Sequence, residues 1–197
     1  MSQELLRSLV WTDYRLAVLF MVFLPLILLV WALVQRMEAM QRLLIIYWRV
    51  SSLLMITVYL LIGGFPPSFI ASPMARILIP ISLWFWVDLN EEIDDQRLNS
   101  LKLTFNTWRW ATTIYCVLGA IAAIPFLSCA LSRQTFDSSF CQVWREPPLL
   151  YKDFFHPNFT AGFLGFWGIC GLVIYVLYLA YFVLVRLGKQ GRSAVQQ

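Results

Sequence analysis

The residues of this chain that could do chemistry are three arginines, which are the only charges inside its long apolar runs: Arg49, Arg76 and Arg109. Arg49 and Arg109 occur in similar contexts, since each follows a tryptophan and precedes two hydroxyl residues. A charge in a membrane-spanning segment is costly, so it marks a functional or an architectural position. Such cations could guide an anion, or could pair with carboxylates, lipid phosphate or backbone carbonyls.

An acidic cluster has the spacing i, i+3, i+4 and i+7, which lines one face of a helix. Its members are Asp88, Glu91, Glu92 and Asp95. This pattern indicates a divalent-cation site, or an acidic surface that receives Arg49 and Arg109, or simply a solvated turn. The glycine and ligand order of a calcium loop are not present.

Histidine is scarce, because His156 is the single one in the chain. No pair of histidines can therefore hold a b-type haem in the membrane, and no histidine-based di-metal site can form there. We expect no redox cofactor and no metal, although contact with a pigment or a lipid stays open.

The cysteines fall into two groups. Cys129 lies near the end of an apolar run, and Cys141 follows it by twelve positions in the next polar segment, so the two could form a disulfide in an oxidising compartment. Cys116 and Cys170 lie within apolar runs, where a buried thiol is the usual state.

Catalytic motifs are missing from the sequence. It contains no HExxH, no glycine-rich phosphate loop after a strand and no nucleophile elbow. We therefore expect a protein that is not an enzyme. A membrane-embedded enzyme acting on a lipid or an isoprenoid, with Asp88 and Glu92 as metal ligands, is a weaker alternative.

Composition indicates an integral membrane protein. The 197 residues are 60% hydrophobic, 16% aromatic and only 13% charged, which is too apolar for a soluble domain. The net charge of +4 comes from residues spread over the ends of the apolar runs. That distribution suits contact with the lipid bilayer and indicates no nucleic-acid partner.

The apolar runs predict an all-α, polytopic transmembrane helical bundle that forms a single domain over residues 1–197. The predicted spans cover residues 16–34, 43–62, 73–89, 104–131 and 160–185, and residues 132–158 form an outside loop. The third span is the weakest, because its charge-free part is short and contains Pro80. We expect Ser72 and Pro73 to open it. Five spans are preferred, and four spans plus an interfacial helix are the alternative.

Orientation follows from basic residues near the ends of spans. Arg186, Lys189 and Arg192 follow the last span, which predicts a cytoplasmic C-terminus. The same rule does not distinguish four spans from five. If the Trp48-Arg49 and Trp108-Arg109 units are equivalent, both face the same side, which favours five.

Glycines recur every third residue at the start of the last span, at Gly162, Gly165 and Gly168. Such a surface permits close approach of another helix, a flat pigment or a lipid. Packing within the chain is the preferred interpretation, and a candidate interaction surface with other membrane-protein subunits is the alternative.

Four stretches carry a resemblance to a known family: LLRSLVWTDYRLAVLFMVFL, RLLIIYWRVSSLLMITVYLL, RILIPISLWFWVDLNEEIDD and LKLTFNTWRWATTIYCVL. They resemble a family of cyanobacterial integral membrane proteins of about this length whose function is unknown. The resemblance implies a thylakoid or plasma membrane location in an oxygenic phototroph, and it lends no catalytic residues.

Two functions remain from the sequence. The preferred one is a non-catalytic accessory subunit or assembly factor of a larger membrane complex, such as a photosynthetic one. The alternative is a small anion transporter or channel-like protein in which Arg49, Arg76 and Arg109 guide the anion.

Overall fold

A computed structural model describes residues 2–194. In this part of the chain 86% of the structure is helical and no strand is present, so the all-α prediction is confirmed. The principal helices are α1 (Gln3–Val34), α2 (Glu38–Gly63), α3 (Ser68–Trp84), α4 (Val87–Asp95), α5 (Ser100–Leu131), α6 (Glu146–Phe155) and α7 (Ala161–Arg186).

Helix α1 begins well before the predicted span. The Ser2 hydroxyl accepts a hydrogen bond from the Leu5 amide at 3.3 Å, and the helix continues from there through the polar residues up to Arg15. A π-helical turn, Leu19–Phe23, lies just ahead of Pro25. The mixed N-terminal segment is therefore part of the bundle.

The two turns that flank α2 are tight. The first reverses the chain at Arg36, which has φ 56° although it is not glycine. At the second, Gly64 has φ 70°, and the Phe65 amide donates to the Leu60 carbonyl at 3.0 Å, as in a Schellman cap. These short reversals hold α1, α2 and α3 side by side.

Helices α3 and α4 form a bent pair, with 57° between them across Phe85 and Trp86. Since α3 begins at Ser68, the prediction that Ser72 and Pro73 open it is wrong; Pro73 lies inside the helix. Four helices are long and apolar enough to cross a membrane, or five if the bent pair counts as one span. These helices fit a multi-pass membrane protein.

The bent pair joins opposite ends of the bundle. At one end, Phe69 contacts Phe136 at 6.0 Å between ring centroids. At the other, the Arg192 side chain donates to the Phe85 carbonyl at 3.0 Å. We call these the disulfide end, after the Cys129–Cys141 bridge, and the C-terminal end. This path is the one that five spans require.

Helix α2 lies at the centre and packs against α1, α3 and α7. Its residues Leu43, Leu44 and Tyr47 are fully buried in the main core. The Tyr47 hydroxyl donates to the Met21 carbonyl of α1 at 2.8 Å, which satisfies a polar group that would otherwise be costly to bury.

The predicted outside loop is folded into short helices, of which α6 is the longest. It packs on the disulfide end of the bundle. The Arg145 side chain donates to the Leu61 carbonyl at 2.9 Å, where α2 ends, and Gln3 of α1 donates to Ser139 at 2.6 Å. The segment thus closes this end of the bundle.

Candidate functional site

Arg109 is buried between α5 and the bend, with 2% of its surface exposed. Its Nη2 donates to the Leu83 carbonyl at 3.0 Å and to Asn90 Oδ1 at 2.5 Å. Its guanidinium also lies over the Trp84 ring, 4.0 Å from the centroid. These contacts tie α5 to both halves of the bent pair.

The bend explains why a cation belongs here. Helix α3 ends at Trp84, and the last carbonyls of a helix have no partner within it. They also carry the negative end of the helix dipole, which favours a positive charge. Arg109 supplies both a hydrogen-bond donor and a charge, and therefore caps the broken helix.

The acidic cluster does lie on one helix, α4, but it does not receive Arg109 through a carboxylate. Glu91, Glu92 and Asp95 are exposed, and the neutral Asn90 is the contact. Asp88 binds the C-terminal segment instead, accepting from the Ala194 amide at 2.8 Å. The spacing of the acids correctly predicted that they share one helix. It did not indicate that Asn90, which lies between them, would be the contact of Arg109.

The described residues, 2–194, contain no group of three or more His, Cys, Asp or Glu side chains that could hold a metal ion. Glu91, Glu92 and Asp95 are exposed, as expected of a solvated turn, whereas Asp88 is half-buried against the C-terminal segment. Nothing in this geometry assigns it a ligand.

The interior holds a second cation, in an ion pair. Arg76 Nη2 of α3 lies 2.5 Å from Asp13 Oδ2 of α1, and the two side chains are 7% and 24% exposed. The Tyr115 hydroxyl of α5 donates to Asp13 Oδ1 at 2.7 Å. Arg76 also lies over the Tyr115 ring, 5.4 Å from its centroid. Three helices therefore meet at one charged cluster.

Gly119 makes room for this cluster. A Cβ atom at Gly119 would meet the Arg76 guanidinium, so the arginine lies directly against the α5 backbone. Asp13 was not predicted as the partner of Arg76, because it precedes the charge-free run of residues 16–34. The spacing of Asp13 from Leu6 and Val10 could have indicated its position, because it places Asp13 on the same helix face as these two buried residues.

Arg49 differs from the other two arginines because its side chain is exposed. It lines a groove of about 370 Å³ between α2, α3 and α7, together with Arg42 and Arg186. The predicted equivalence of Arg49 and Arg109 is thus not seen in their surroundings. Arg49 and Arg109 nevertheless both lie in the half of the bundle that is nearer to the C-terminal end.

Gly165 and Gly168 of α7 face α2. A Cβ at Gly165 would lie 2.7 Å from Gly63 Cα, and a Cβ at Gly168 would lie 3.0 Å from the Leu60 amide nitrogen. Gly162 has open space around it. Gly165 and Gly168 serve packing within the chain, which was the preferred interpretation of this pattern.

The disulfide end carries further polar contacts. Cys129 and Cys141 are joined in a disulfide with their Cα atoms 6.0 Å apart, and both are fully buried. Tyr59 Oη and His156 Nε2 lie 3.0 Å apart. Burial lowers the pKa of Arg145, and the nearby Asp137 opposes that change.

The fold and these sites define a polytopic helical membrane protein whose two buried arginines, Arg76 and Arg109, contact acceptors on neighbouring helices. The chain belongs to the DUF3177 family, described as a protein of unknown function, whose model matches residues 7–195. The expected resemblance to a family of unknown function over most of the chain is confirmed. No curated protein and no solved structure matches the chain.

Proposed function

We propose that this protein is a non-catalytic accessory subunit or assembly factor that binds another membrane protein through the outer face of α7. We place it in the thylakoid or plasma membrane of an oxygenic phototroph, with the C-terminal end in the cytoplasm. The observation that carries the proposal is a contrast within the bundle. The buried arginines contact residues of neighbouring helices, whereas most of the surface of α7 is exposed.

The interior cations hold the bundle together. Arg109 caps the end of α3, and Arg76 is paired with Asp13 across two helices. An arginine that guides an anion must be able to exchange partners as the anion passes. Both side chains instead donate to acceptors of the bundle, which argues for architecture and against transport.

Helix α7 packs mainly on α2, and only 6% of its most apolar 18-residue stretch is buried within the protein. The side of α7 that is turned away from Gly165 and Gly168 carries exposed apolar side chains spaced at i, i+7, i+11 and i+18. We call these residues the outer stripe: Phe166, Val173, Leu177 and Leu184. Because lipid tails are as apolar as these side chains, a partner would be held by close packing.

Transport is the second candidate, and one observation favours it. Within the described residues, Arg76 Nε, Arg109 Nε and Thr112 Oγ1 are buried and have no hydrogen-bond partner. Two of these atoms belong to α5, on the face towards α3. Buried polar atoms of this kind are commonly satisfied by water, and a water-filled interior is what a polar pathway needs.

Affinity purification separates the two candidates. The tagged protein is extracted from native membranes in mild detergent, and its assembly is read on a native gel with mass spectrometry. A triple variant, Phe166→Ala with Val173→Ala and Leu177→Ala, should lose a stoichiometric partner. The matched variant on α5, Ile114→Ala with Leu118→Ala and Ile121→Ala, also alters exposed apolar residues and should keep it.

The opposite result is equally clear. A stable monomer from native membranes that conducts anions in liposomes, with flux lost in Arg49→Gln and Arg109→Gln, would replace the accessory role with transport. Equal loss of the partner in both triple variants would remove α7 as the docking helix.

A further inference from the structure

The groove beside Arg49 has apolar walls. Isoleucine and aromatic side chains from three helices form it, including Ile46 of α2, Ile81 of α3 and Phe182 of α7. Its volume of about 370 Å³ is within the range of small-ligand sites, roughly 300–1,000 Å³. The groove can therefore hold part of an apolar chain.

Three arginines line the same groove. Arg42 and Arg49 are seven positions apart on α2, so they lie on one face of the helix, and Arg186 ends α7. Such a combination of cations with apolar walls is amphipathic, and it matches a ligand that has an anionic head and an apolar tail.

Arg49 is the exposed cation of this groove whose side chain is unpaired among the described residues. Among the described side chains, its guanidinium makes no hydrogen bond and no ion pair, whereas Arg42 pairs with Glu38 at 2.9 Å. Arg49 lies eleven positions after the first residue of α2, about 16 Å along the helix at 1.5 Å per residue. An arginine within a membrane-spanning helix needs an anion or a path to the surface.

We propose that this groove is a binding site for a membrane lipid with an anionic headgroup. The acidic group of the lipid pairs with Arg49, flanked by Arg42 and Arg186, and an acyl chain lies along Ile46 and Ile81. Arginine suits this role because its planar fork donates two hydrogen bonds to a phosphate-type anion. The site is separate from the outer stripe of α7 and does not depend on the proposed accessory role.

A soluble anion is a poorer match for the same arginines. A free phosphate has no apolar part that could contact these walls, whereas a lipid covers them with its tail. The groove also lies between membrane-spanning helices, where lipid is the surrounding solvent.

The test is native mass spectrometry of the full-length protein, purified in maltoside detergent and titrated with defined probes. Dioleoyl phosphatidylglycerol should bind at least about tenfold more tightly than dioleoyl phosphatidylcholine, which has the same chains and no net charge. Inorganic phosphate alone should neither bind nor raise the unfolding temperature.

Variants locate the site. Arg49→Gln should weaken phosphatidylglycerol binding about fivefold, the effect expected for one arginine near a charged lipid surface. Arg15→Gln is the matched control, because Arg15 is an exposed arginine on α1 outside the groove. Ile46→Trp keeps every arginine, fills the groove and should also weaken binding.

Three results would overturn the proposal. The first is equal affinity for the two lipids, and the second is equal binding by Arg49→Gln and Arg15→Gln. The third is protection by inorganic phosphate that depends on Arg49, which would make the ligand a soluble anion. Arg49→Lys, which keeps the charge, should bind more tightly than Arg49→Gln, so the charge effect remains measurable if the glutamine variant folds poorly.

Discussion

Arg76 of α3 and Asp13 of α1 form an ion pair inside the helical bundle, with 2.5 Å between Nη2 and Oδ2. The Tyr115 hydroxyl of α5 completes the contact from a third helix. Neither α1 nor α3 could hold its charge in an apolar environment alone, so the pair makes each helix depend on the other.

Breaking this pair should destabilise the protein. Arg76→Gln leaves the Asp13 carboxylate without its counter-ion, and we expect a loss of about 3 kcal/mol in the free energy of unfolding, as for other buried pairs. Thermal unfolding in detergent measures it, with the exposed Arg15→Gln as a control that should change stability by less than about 0.5 kcal/mol.

The double variant tests whether the two residues act as a pair. Asp13→Asn combined with Arg76→Gln removes both charges and should lose less stability than the sum of the single variants. Strict additivity would show that the two side chains do not interact in the folded protein.

Arg109→Gln should loosen the bend between α3 and α4. The shorter, neutral side chain cannot cap the Leu83 carbonyl and reach Asn90 together, so the last turn of α3 should open more often. Hydrogen exchange followed by mass spectrometry should show that the variant exchanges faster than the unaltered protein in residues 84–95, with a smaller change in α2. Unchanged protection there would mean that the bend is held by the C-terminal segment through Arg192 and Asp88.

The glycine face of α7 provides a matched pair of substitutions. Gly165→Ala places a Cβ against Gly63 and should separate α7 from α2, at a cost of about 1–3 kcal/mol. Gly162→Ala has open space and should be neutral or slightly stabilising. Thermal unfolding compares the two, and equal effects would contradict the close approach of the helices.

The disulfide should hold the segment between α5 and α7 in place. Cys129→Ser with Cys141→Ser opens a loop of about twelve residues, and we expect a loss of about 2–4 kcal/mol. Trypsin should then cut after Arg133, which lies exposed within the bridged segment, faster than in the unaltered protein. Equal cleavage rates with and without the bridge would show that packing of Phe126 and Phe136 alone fixes the segment.

Much of the fold follows from hydrophobic length, because an apolar run of this size has few alternatives to a spanning helix. The interior charges were harder to place. Arg109 was recognisable as a costly cation, but its partners depend on a helix break that no local motif marks. Asp13 was outside the assumed span, and its role depends on Arg76, which is 63 positions away. Such partners come from tertiary packing, which spacing along one helix does not report.

The central claim is that the outer stripe of α7 contacts another membrane protein, and site-specific photocrosslinking in native membranes tests it most directly. A benzophenone amino acid is introduced at Val173 or Leu177, and at Leu118 of α5 as an equally exposed control. We predict one discrete protein adduct from both α7 positions and none of that mass from position 118. Lipid adducts alone at Val173 and Leu177, or the same adducts at all three positions, would contradict the claim.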